Sequence, residues 1–443
     1  GANESKPNQH GKARGESKSR QGKKIQSPVL TWGDGSEGQL GLSQNKLSSA
    51  IPAMVPGLAQ IPIISISCGP QHTAFLTEGG TAYMTGLGSS YRLGLGDEKP
   101  RFIPTVNPFT EEHPVIQVAC GSTFTLFLTK RGTIYSSGTS KKGALGQREI
   151  SSSRTPRKIN RLVGVTRIAC GENHSGAITE HGKVFTWGDP NTGALGHGDL
   201  DYSTKLQGRI AAPAQIESSY VSRSRFIDIA CGLSHTLILS DKGEVCCCGQ
   251  GAEGQLGYGG KQEHFFPRRI DITEEEEENT EGKQINEEAP ARVAKPIRAI
   301  RVYCGEKSSS IISVEGEVYF WGDGQVYPTL IKVPEKAVQV AMHPSNGMIL
   351  SENNKIFTYD TEELSVSDIL KASEAKWEAP PISFISSGAK HFAAVIGTAI
   401  PDLAGDRQLV ISNANSVRRE DDNIGERNEL FARTEKAKKK NFR

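Results

Sequence analysis

A Cys-Gly pair returns five times along this chain of 443 residues, each time at the same point of a longer pattern. The pairs begin at Cys68, Cys120, Cys170, Cys231 and Cys304, at intervals of 50 to 73 residues. Between them come a strand-like run that ends in glycine and a Gly-x-Leu-Gly motif or a close variant. A period of this size indicates an array of one supersecondary unit, so the repeat constrains the fold more than any other feature.

Each unit contains short runs of β-branched and aromatic residues, separated by Gly, Pro, Asn and Asp, which is the pattern of strands and turns. The first unit shows the pattern at Val29–Gly33, Glu37–Gly41, Ile64–Gly69 and His72–Thr77. Units of four strands arranged radially form a propeller, in which no long sheet edge stays open. A single blade cannot bury both of its faces, so neighbouring blades stabilise one another.

Five units are clear and two are weaker. The sixth opens at Val318–Gly322 and has His343-Pro344 in place of Cys-Gly; the seventh opens at Ile356 and closes near His391. The predicted fold class is therefore all-β, a seven-bladed β-propeller over residues 27–397. The predicted repeats are 27–80, 81–132, 133–182, 183–243, 244–316, 317–354 and 355–397. The predicted core position of each clear unit is a recurring leucine: Leu40, Leu93, Leu145, Leu195 and Leu256.

The two ends of the chain are polar and basic. Residues 1–26 read as a disordered basic arm, and 398–443 as a polar, partly helical extension, with Ser416 as a helix cap. The formal net charge is only +2, so the distribution of charge matters more than its sum. Basic segments of this kind are typical of contacts with the phosphates of chromatin or a ribonucleoprotein. The alternative is that they serve only to keep the protein soluble. The expected contacts are Lys12, Arg14, Lys18, Arg20, Lys23, Lys24, Lys438, Lys439 and Lys440.

Two segments depart from the repeat and are candidates for a partner surface, because loops on a rigid scaffold carry function. One is the insertion Asp199–Arg225 in the fourth repeat. The other is an acidic loop in blade five, Asp271–Glu288, which either binds a basic partner or only keeps a long insertion solvated. The candidate partner contacts in the insertion are Tyr202, Arg209, Tyr220, Arg223 and Arg225.

The linked motifs closely resemble those of the regulator of chromosome condensation repeat family over residues 27 to about 397. The resemblance implies a seven-bladed propeller in which an N-terminal strand joins the last blade. Here Val29–Trp32 would pair beside the strand that ends near Val395. Members include the exchange factor of the small GTPase Ran on chromatin, proteins that act on other GTPases, proteins of organelle ribosome biogenesis and of cilia, and plain scaffolds. A fold alone does not choose among these functions.

The resemblance also implies positions for GTPase contact just after certain turn glycines, where the Ran exchange factor carries acidic or histidine side chains. The corresponding residues here are Ser122, Asn173 and Lys307, and none of them matches. We therefore expect a non-catalytic interaction scaffold or regulator of a macromolecular assembly. Exchange activity on Ran or another small GTPase, with association to chromatin, is the alternative.

Enzymatic motifs are poorly supported, and we predict no catalytic, cofactor or metal site. His72, His174, His235 and His391 recur at one position of the repeat, so we expect each to donate a hydrogen bond to a backbone carbonyl across its blade. The recurring cysteines fit tight packing. Eight cysteines without a pairing scheme favour a reducing intracellular compartment, nuclear or cytoplasmic, with an organelle left open. An apolar run of about 18 residues is missing, so a membrane span is not expected.

Overall fold

The computed structural model describes residues 1, 29–140, 142–148, 151–198, 211–218, 220–273, 296–344, 346–361, 364–368, 380–399, 408 and 410. The basic arm, most of the acidic loop and almost all of the C-terminal extension, including Ser416, lie outside these residues. Within the described ranges, no helix is both long and apolar enough to cross a bilayer.

Among the described residues, twenty-eight strands form seven four-stranded antiparallel sheets, which confirms the predicted fold class. The sheet that contains the first strand is blade VII, with β1 (Val29–Asp34), β2 (Ser48–Met54), β27 (Ile382–Ser387) and β28 (His391–Ile396). Blade I contains β3 (Ile63–Cys68), β4 (His72–Thr77), β5 (Ala82–Gly86) and β6 (Arg101–Val106). Blade II contains β7 (Val115–Cys120), β8 (Phe124–Thr129), β9 (Ile134–Thr139) and β10 (Ser152–Lys158).

The remaining blades follow the same order. Blade III contains β11 (Val165–Cys170), β12 (His174–Thr179), β13 (Val184–Gly188) and the short β14 (Ala214–Gln215). Blade IV contains β15 (Phe226–Cys231), β16 (His235–Ser240), β17 (Val245–Gly249) and β18 (His264–Arg269). Blade V contains β19 (Ala299–Cys304), β20 (Ser308–Ser313), β21 (Val318–Gly322) and β22 (Gln325–Ile331). Blade VI contains β23 (Ala337–Ala341), β24 (Asn346–Ser351), β25 (Ile356–Asp360) and β26 (Val366–Asp368). The described helical turns are α1 (Pro108–Glu112) and the 3-10 turns Pro56–Leu58, Ser89–Tyr91 and Val221–Arg223.

The ring closes through blade VII, which combines both ends of the repeat array. β1 pairs antiparallel with β28, with Val29 opposite Val395 and Gly33 opposite His391, as the resemblance implies. The sequence repeat and the blade are offset by half a unit. Each blade takes its first two strands from one repeat and its last two from the next, so consecutive blades are also linked covalently within every repeat.

The core of each blade is built from the motifs that define the repeat. All five recurring leucines are at most 2% exposed, which agrees with the predicted core position. The glycine that ends the third strand is required by close approach and by backbone conformation. Gly249 has φ +118°, and a Cβ there would lie 2.4 Å from the carbonyl oxygen of Ser234. Only glycine adopts this conformation without strain.

Buried histidines join neighbouring blades. His174 Nε2 in blade III lies 2.9 Å from Thr236 Oγ1 in blade IV, and that hydroxyl donates to the carbonyl of Ala194 at 2.8 Å. Because the hydroxyl proton is used in that bond, Nε2 of His174 carries a proton and donates it to the hydroxyl oxygen. Burial lowers the pKa of His174 to about 4, so the imidazole is neutral at pH 7. We call this arrangement the inter-blade latch. It corrects the expected partner, because the histidine bonds a hydroxyl of the next blade rather than a carbonyl.

The latch recurs at three other interfaces. His72 pairs with Thr125, His235 with Ser309, and His391 with Thr73, at 2.8, 3.0 and 2.8 Å. Each hydroxyl then donates to the carbonyl that precedes a recurring leucine, in Arg92, Gln255 and Gln39 respectively. The His391 latch joins blade VII to blade I, so side-chain bonding as well as strand pairing closes the ring.

Replacing Thr236 by valine should lower the free energy of unfolding by about 1 to 3 kcal/mol, because the buried Nε2–H of His174 loses its acceptor. The matched control is Ser175→Ala. Ser175 likewise donates to a carbonyl, that of Ala144. The histidine position of the preceding blade is occupied by Phe124, so no histidine bonds to Ser175. Urea unfolding at pH 7 should therefore show a larger loss for T236V than for S175A. Equal losses would mean that the histidine bond adds nothing.

Candidate functional site

The ring presents two faces with different connections. On one face, the turns between first and second strands bond the loops that follow third strands, as in Leu87 N–H to Gln71 O at 2.8 Å and Asp189 N–H to Asn173 O at 2.9 Å. We call this the turn face. On the opposite face, the connections between blades bond the turns between second and third strands, as in Val165 N–H to Gly132 O. We call this the crossover face.

An axial cavity of about 110 Å³ opens on the turn face. The recurring cysteines surround it in blades I to V, and Met342 and Ser387 take the same place in blades VI and VII. Burial raises the pKa of Cys68 and of Cys231 to about 12, so these thiols stay protonated at neutral pH and are poor nucleophiles. All eight cysteines of the chain are unpaired. The recurring cysteines therefore line a narrow channel and also pack against the apolar clusters of the blades.

The predicted contact Ser122 lines this channel, and Asn173 and Lys307 lie in equivalent turns, each directly after a residue that lines it. Two of these turns are anchored by bonds to neighbouring segments. Arg92 donates to the Ser122 carbonyl at 3.0 Å and to the Gln71 side chain at 2.9 Å, which holds the turns of blades I and II together. Lys307 forms an exposed ion pair with Glu253 at 3.2 Å. The structure thus places the three positions on one surface.

Acidic side chains gather at one side of the mouth. Burial, followed by the charges of Asp323 and Glu172, raises the pKa of Glu306, although Lys307 opposes the shift. Burial, followed by the charge of Glu253, likewise raises the pKa of Asp323, although Lys307 opposes the shift. We call this group of carboxylates, Glu172, Glu253, Glu306 and Asp323, the acidic mouth. It holds more negative charge than the sequence pattern indicated. Glu172 and Glu306 directly precede the predicted contacts Asn173 and Lys307. The sequence analysis did not name these two acidic residues.

The structure describes only part of the predicted contact residues in the fourth repeat. Tyr202 and Arg209 lie outside the described residues. Tyr220, Arg223 and Arg225 belong to the connection from β14 to β15, on the crossover face. Their role as partner contacts stays a prediction.

Tyr220 and Arg225 have structural partners on the crossover face. The Tyr220 hydroxyl donates to Glu244, which also meets Arg298 at 3.5 Å and Arg269 at 3.3 Å. Burial opposes ionisation of Glu244, but these donors outweigh it and lower the pKa of its carboxyl. Arg225 donates to the carbonyl of Glu180 at 2.9 Å. Arg223 is exposed.

The closed ring of seven blades, the Cys-Gly pairs in five of its repeats and the loops on both faces of a narrow channel together define one class of β-propeller. The sequence profile described as "Regulator of chromosome condensation (RCC1) repeat" matches more than half of the chain. The chain belongs to this family. The matched residues are 28–76, 79–128, 131–178, 181–239 and 242–281.

Relatives with known names share the repeat. The chain is 26% identical over 322 residues to "Protein RCC2 homolog" of Danio rerio, covering 69% of this chain and 52% of that protein. It is 31% identical over 247 residues to "Ultraviolet-B receptor UVR8" of Arabidopsis thaliana, covering 56% of this chain and 54% of the receptor. The chain thus spans about half the length of the curated relatives it matches.

Solved structures share the fold. Prp20p of Saccharomyces cerevisiae, studied for its binding to Gsp1p and histones, superposes with a TM-score of 0.67 at 20% identity, over 88% of this chain and 95% of Prp20p. Human WBSCR16 gives a TM-score of 0.67 at 18% identity, over 84% of this chain and all of that one. At such identities the likeness shows the fold alone.

Proposed function

We propose that the protein is a non-catalytic interaction scaffold, a rigid ring that regulates or organises a macromolecular assembly through its faces. The observation that carries this proposal is the use of the repeated polar groups. Four buried histidines and their hydroxyl partners are consumed in latches between blades, while charged side chains project from the loops. Such a ring can hold a binding surface in place without paying for its ordering on association.

The acidic mouth is the surface we propose for a basic protein partner. Glu172 is exposed and Glu306 is half-buried at the rim of the channel, so both can meet cationic side chains. Complementary charge guides association and fixes orientation. The basic ends of the chain would add contacts to phosphates, consistent with the proposed association with a nuclear or ribonucleoprotein assembly.

The test is affinity purification with charge-reversed faces. The double variant E172K/E306K should lose at least about tenfold of one partner protein, since like charges repel across an interface. Glu180→Lys reverses an exposed carboxylate on the crossover face and serves as the control for that partner. Both variants should keep the unfolding midpoint of the parent. Recovery of the same proteins in the same amounts with all three chains would contradict the proposal.

Guanine nucleotide exchange on a small GTPase is the second candidate function, and the acidic mouth favours it. Glu172 and Glu306 lie one residue from the positions that the family uses for GTPase contact. Release of labelled GDP from Ran and a panel of small GTPases tests it. Acceleration by catalytic amounts of the protein, abolished in E172K/E306K, would replace the scaffold proposal with exchange activity. No acceleration on any member removes this candidate for the panel.

A further inference from the structure

A groove of about 560 Å³ lies at the rim of the ring between β10 of blade II and β14 of blade III. It is distinct from the axial channel and from the acidic mouth. Ten residues line it, and none of them is acidic or aromatic. The lining residues are Gly146, Gln147, Arg148, Arg157, Lys158, Asn160, Arg161, Ala212, Pro213 and Ala214.

Four exposed cations converge on this groove: Arg148, Arg157, Lys158 and Arg161. Across the described part of the chain, no carboxylate forms an ion pair with any of them, whereas nearby Lys142 pairs with Asp189 at 3.4 Å. Four like charges around one cavity repel one another unless an anion occupies it. The chain as a whole carries only +2, so this is a local concentration of positive charge.

Arg148 occupies a position where three other repeats use glycine. Gly96, Gly198 and Gly259 stand two residues after the Gly-x-Leu-Gly motif, with φ between +77° and +92°. Arg148 keeps the same left-handed backbone, with φ +56°. Its N–H bonds the carbonyl of Ala211 in the next blade at 2.7 Å, just as the glycines bond Arg154, Phe265 and Val326. An arginine is strained where glycine is relaxed, and strain of this kind is a pointer to function.

Ala212 departs from the repeat at the same interface. The corresponding residues in blades IV and V are Phe266 and Tyr327, whose rings lie within 2.4 Å of where a Cβ on Gly198 or Gly259 would stand. An alanine in this place leaves room for the arginine side chain and opens the groove. An arginine at the glycine position, together with an alanine where blades IV and V have an aromatic residue and blade II has Thr155, thus accompanies one charged cavity at one blade interface.

The backbone around the groove is anchored by buried apolar side chains. Ile159 and Leu162 are 0% and 3% exposed, and they alternate with the cations along the segment that follows β10. Arg161, between them, also has positive φ, at +70°. The cationic side chains therefore stand on a rigid base, which limits the entropy lost when a ligand binds.

The chemistry of the lining selects the ligand. Three guanidinium groups and one ammonium suit phosphate oxygens, which arginine binds through paired hydrogen bonds. Among the described residues that line the groove, none offers an aromatic ring on which a base could stack or a large apolar anchor of the kind a peptide interface needs. Its volume lies within the range of sites for small molecules. We propose that this groove binds a compact soluble polyphosphate that carries no base, of the class of an inositol polyphosphate.

The experiment is calorimetric titration of the full chain with inositol hexakisphosphate near physiological ionic strength. Arg148→Gly installs the residue of the sibling repeats, so the fold should be retained or stabilised while binding weakens at least about tenfold, the loss of one paired phosphate contact. Ala212→Tyr fills the groove as blade V does, without a change of charge, and should weaken binding comparably. Arg154→Gln is the matched control, because Arg154 lies on β10 but stacks over Tyr91, 5.5 Å away, outside the groove. Its affinity should stay within about twofold of the parent.

Several results would overturn the proposal. Equal weakening in R148G and R154Q would indicate diffuse electrostatic binding, to which the basic ends of the chain would also contribute. The same titration can be run with a duplex RNA, a polyglutamate peptide or vesicles containing phosphatidylinositol bisphosphate at equal anionic charge. If one of these binds more tightly than the inositol phosphate and depends on Arg148 in the same way, the groove would be assigned to a macromolecule or a membrane lipid. Absence of heat at millimolar ligand would exclude the site.

Discussion

Lowering the pH from 7 to 4.5 should destabilise the ring by about 2 to 3 kcal/mol for each latched histidine, a large share of the stability of an ordinary domain. Burial lowers the pKa of His174 and His391 to about 4. It also lowers that of His235 to about 3, assisted by the charge of His174. In the unfolded chain, each imidazole titrates near its ordinary value of about 6.5.

The direction of the effect follows from which state binds protons. Between about pH 6.5 and 4, the histidines of the unfolded chain become protonated, whereas the buried histidines of the folded chain stay neutral. The free energy of unfolding therefore falls as the pH falls. The geometry gives the reason: Nε2–H already donates to a hydroxyl, and the Nδ1 atoms of His72, His235 and His391 are buried without an acceptor among the described residues. A proton added at Nδ1 would put an unpaired donor and a charge between two blades.

Urea unfolding at pH 7, 5.5 and 4.5 measures this dependence. The matched variant is His174→Phe, because Phe124 already occupies the corresponding position in blade II, fully buried and without a latch. H174F should lose some stability at pH 7 and show a shallower decline on acidification than the parent. A flat profile in the parent, or the same slope in both proteins, would show that the histidines are not the groups that titrate.

The number of blades could be predicted because it rests on local motifs, whereas the pairing that closes the ring was implied by the resemblance to the family. The glycines that end most third strands, and the leucines and Cys-Gly pairs of the five clear units, occupy fixed positions where the same steric demands recur. The weaker sixth unit still forms blade VI, since Val338 and Val340 keep the alternation of an inner strand although His343-Pro344 replaces Cys-Gly.

Contacts between blades could not be predicted in the same way. The hydroxyl partner of His174 stands 62 residues further along the chain, and no local pattern announces that pairing. One feature of the basic groove is visible in the sequence, namely Arg148 at a position where other repeats have glycine. That residue alone does not predict a groove, because the groove also requires the small side chain of Ala212 in the next blade.

Removal of β1 should abolish the closed ring. β1 is the central strand between β28 and β2, and Val29, Leu30 and Trp32 are 0%, 3% and 6% exposed. Loss of these three side chains alone removes about 5 kcal/mol or more of burial, comparable to the whole stability of many domains. β2 would also lose its partner, and β28 would present an open edge that invites association between chains. A chain beginning at residue 36 should therefore be aggregated or unfolded.

A chain beginning at residue 28 is the matched control, because it loses the basic arm and keeps all of β1; its unfolding midpoint should equal that of the parent. If the shorter chain cannot be purified, Trp32→Ala provides a graded version. Trp32 stacks on Phe392 of β28 at 5.5 Å, so its truncation should cost about 3 to 5 kcal/mol while preserving the strand. Thermal unfolding followed by near-ultraviolet circular dichroism compares the three proteins. A cooperative transition at the parental temperature in the chain lacking residues 1–35 would show that six blades and the three remaining strands of blade VII suffice, and that pairing of β1 with β28 is not what closes the ring.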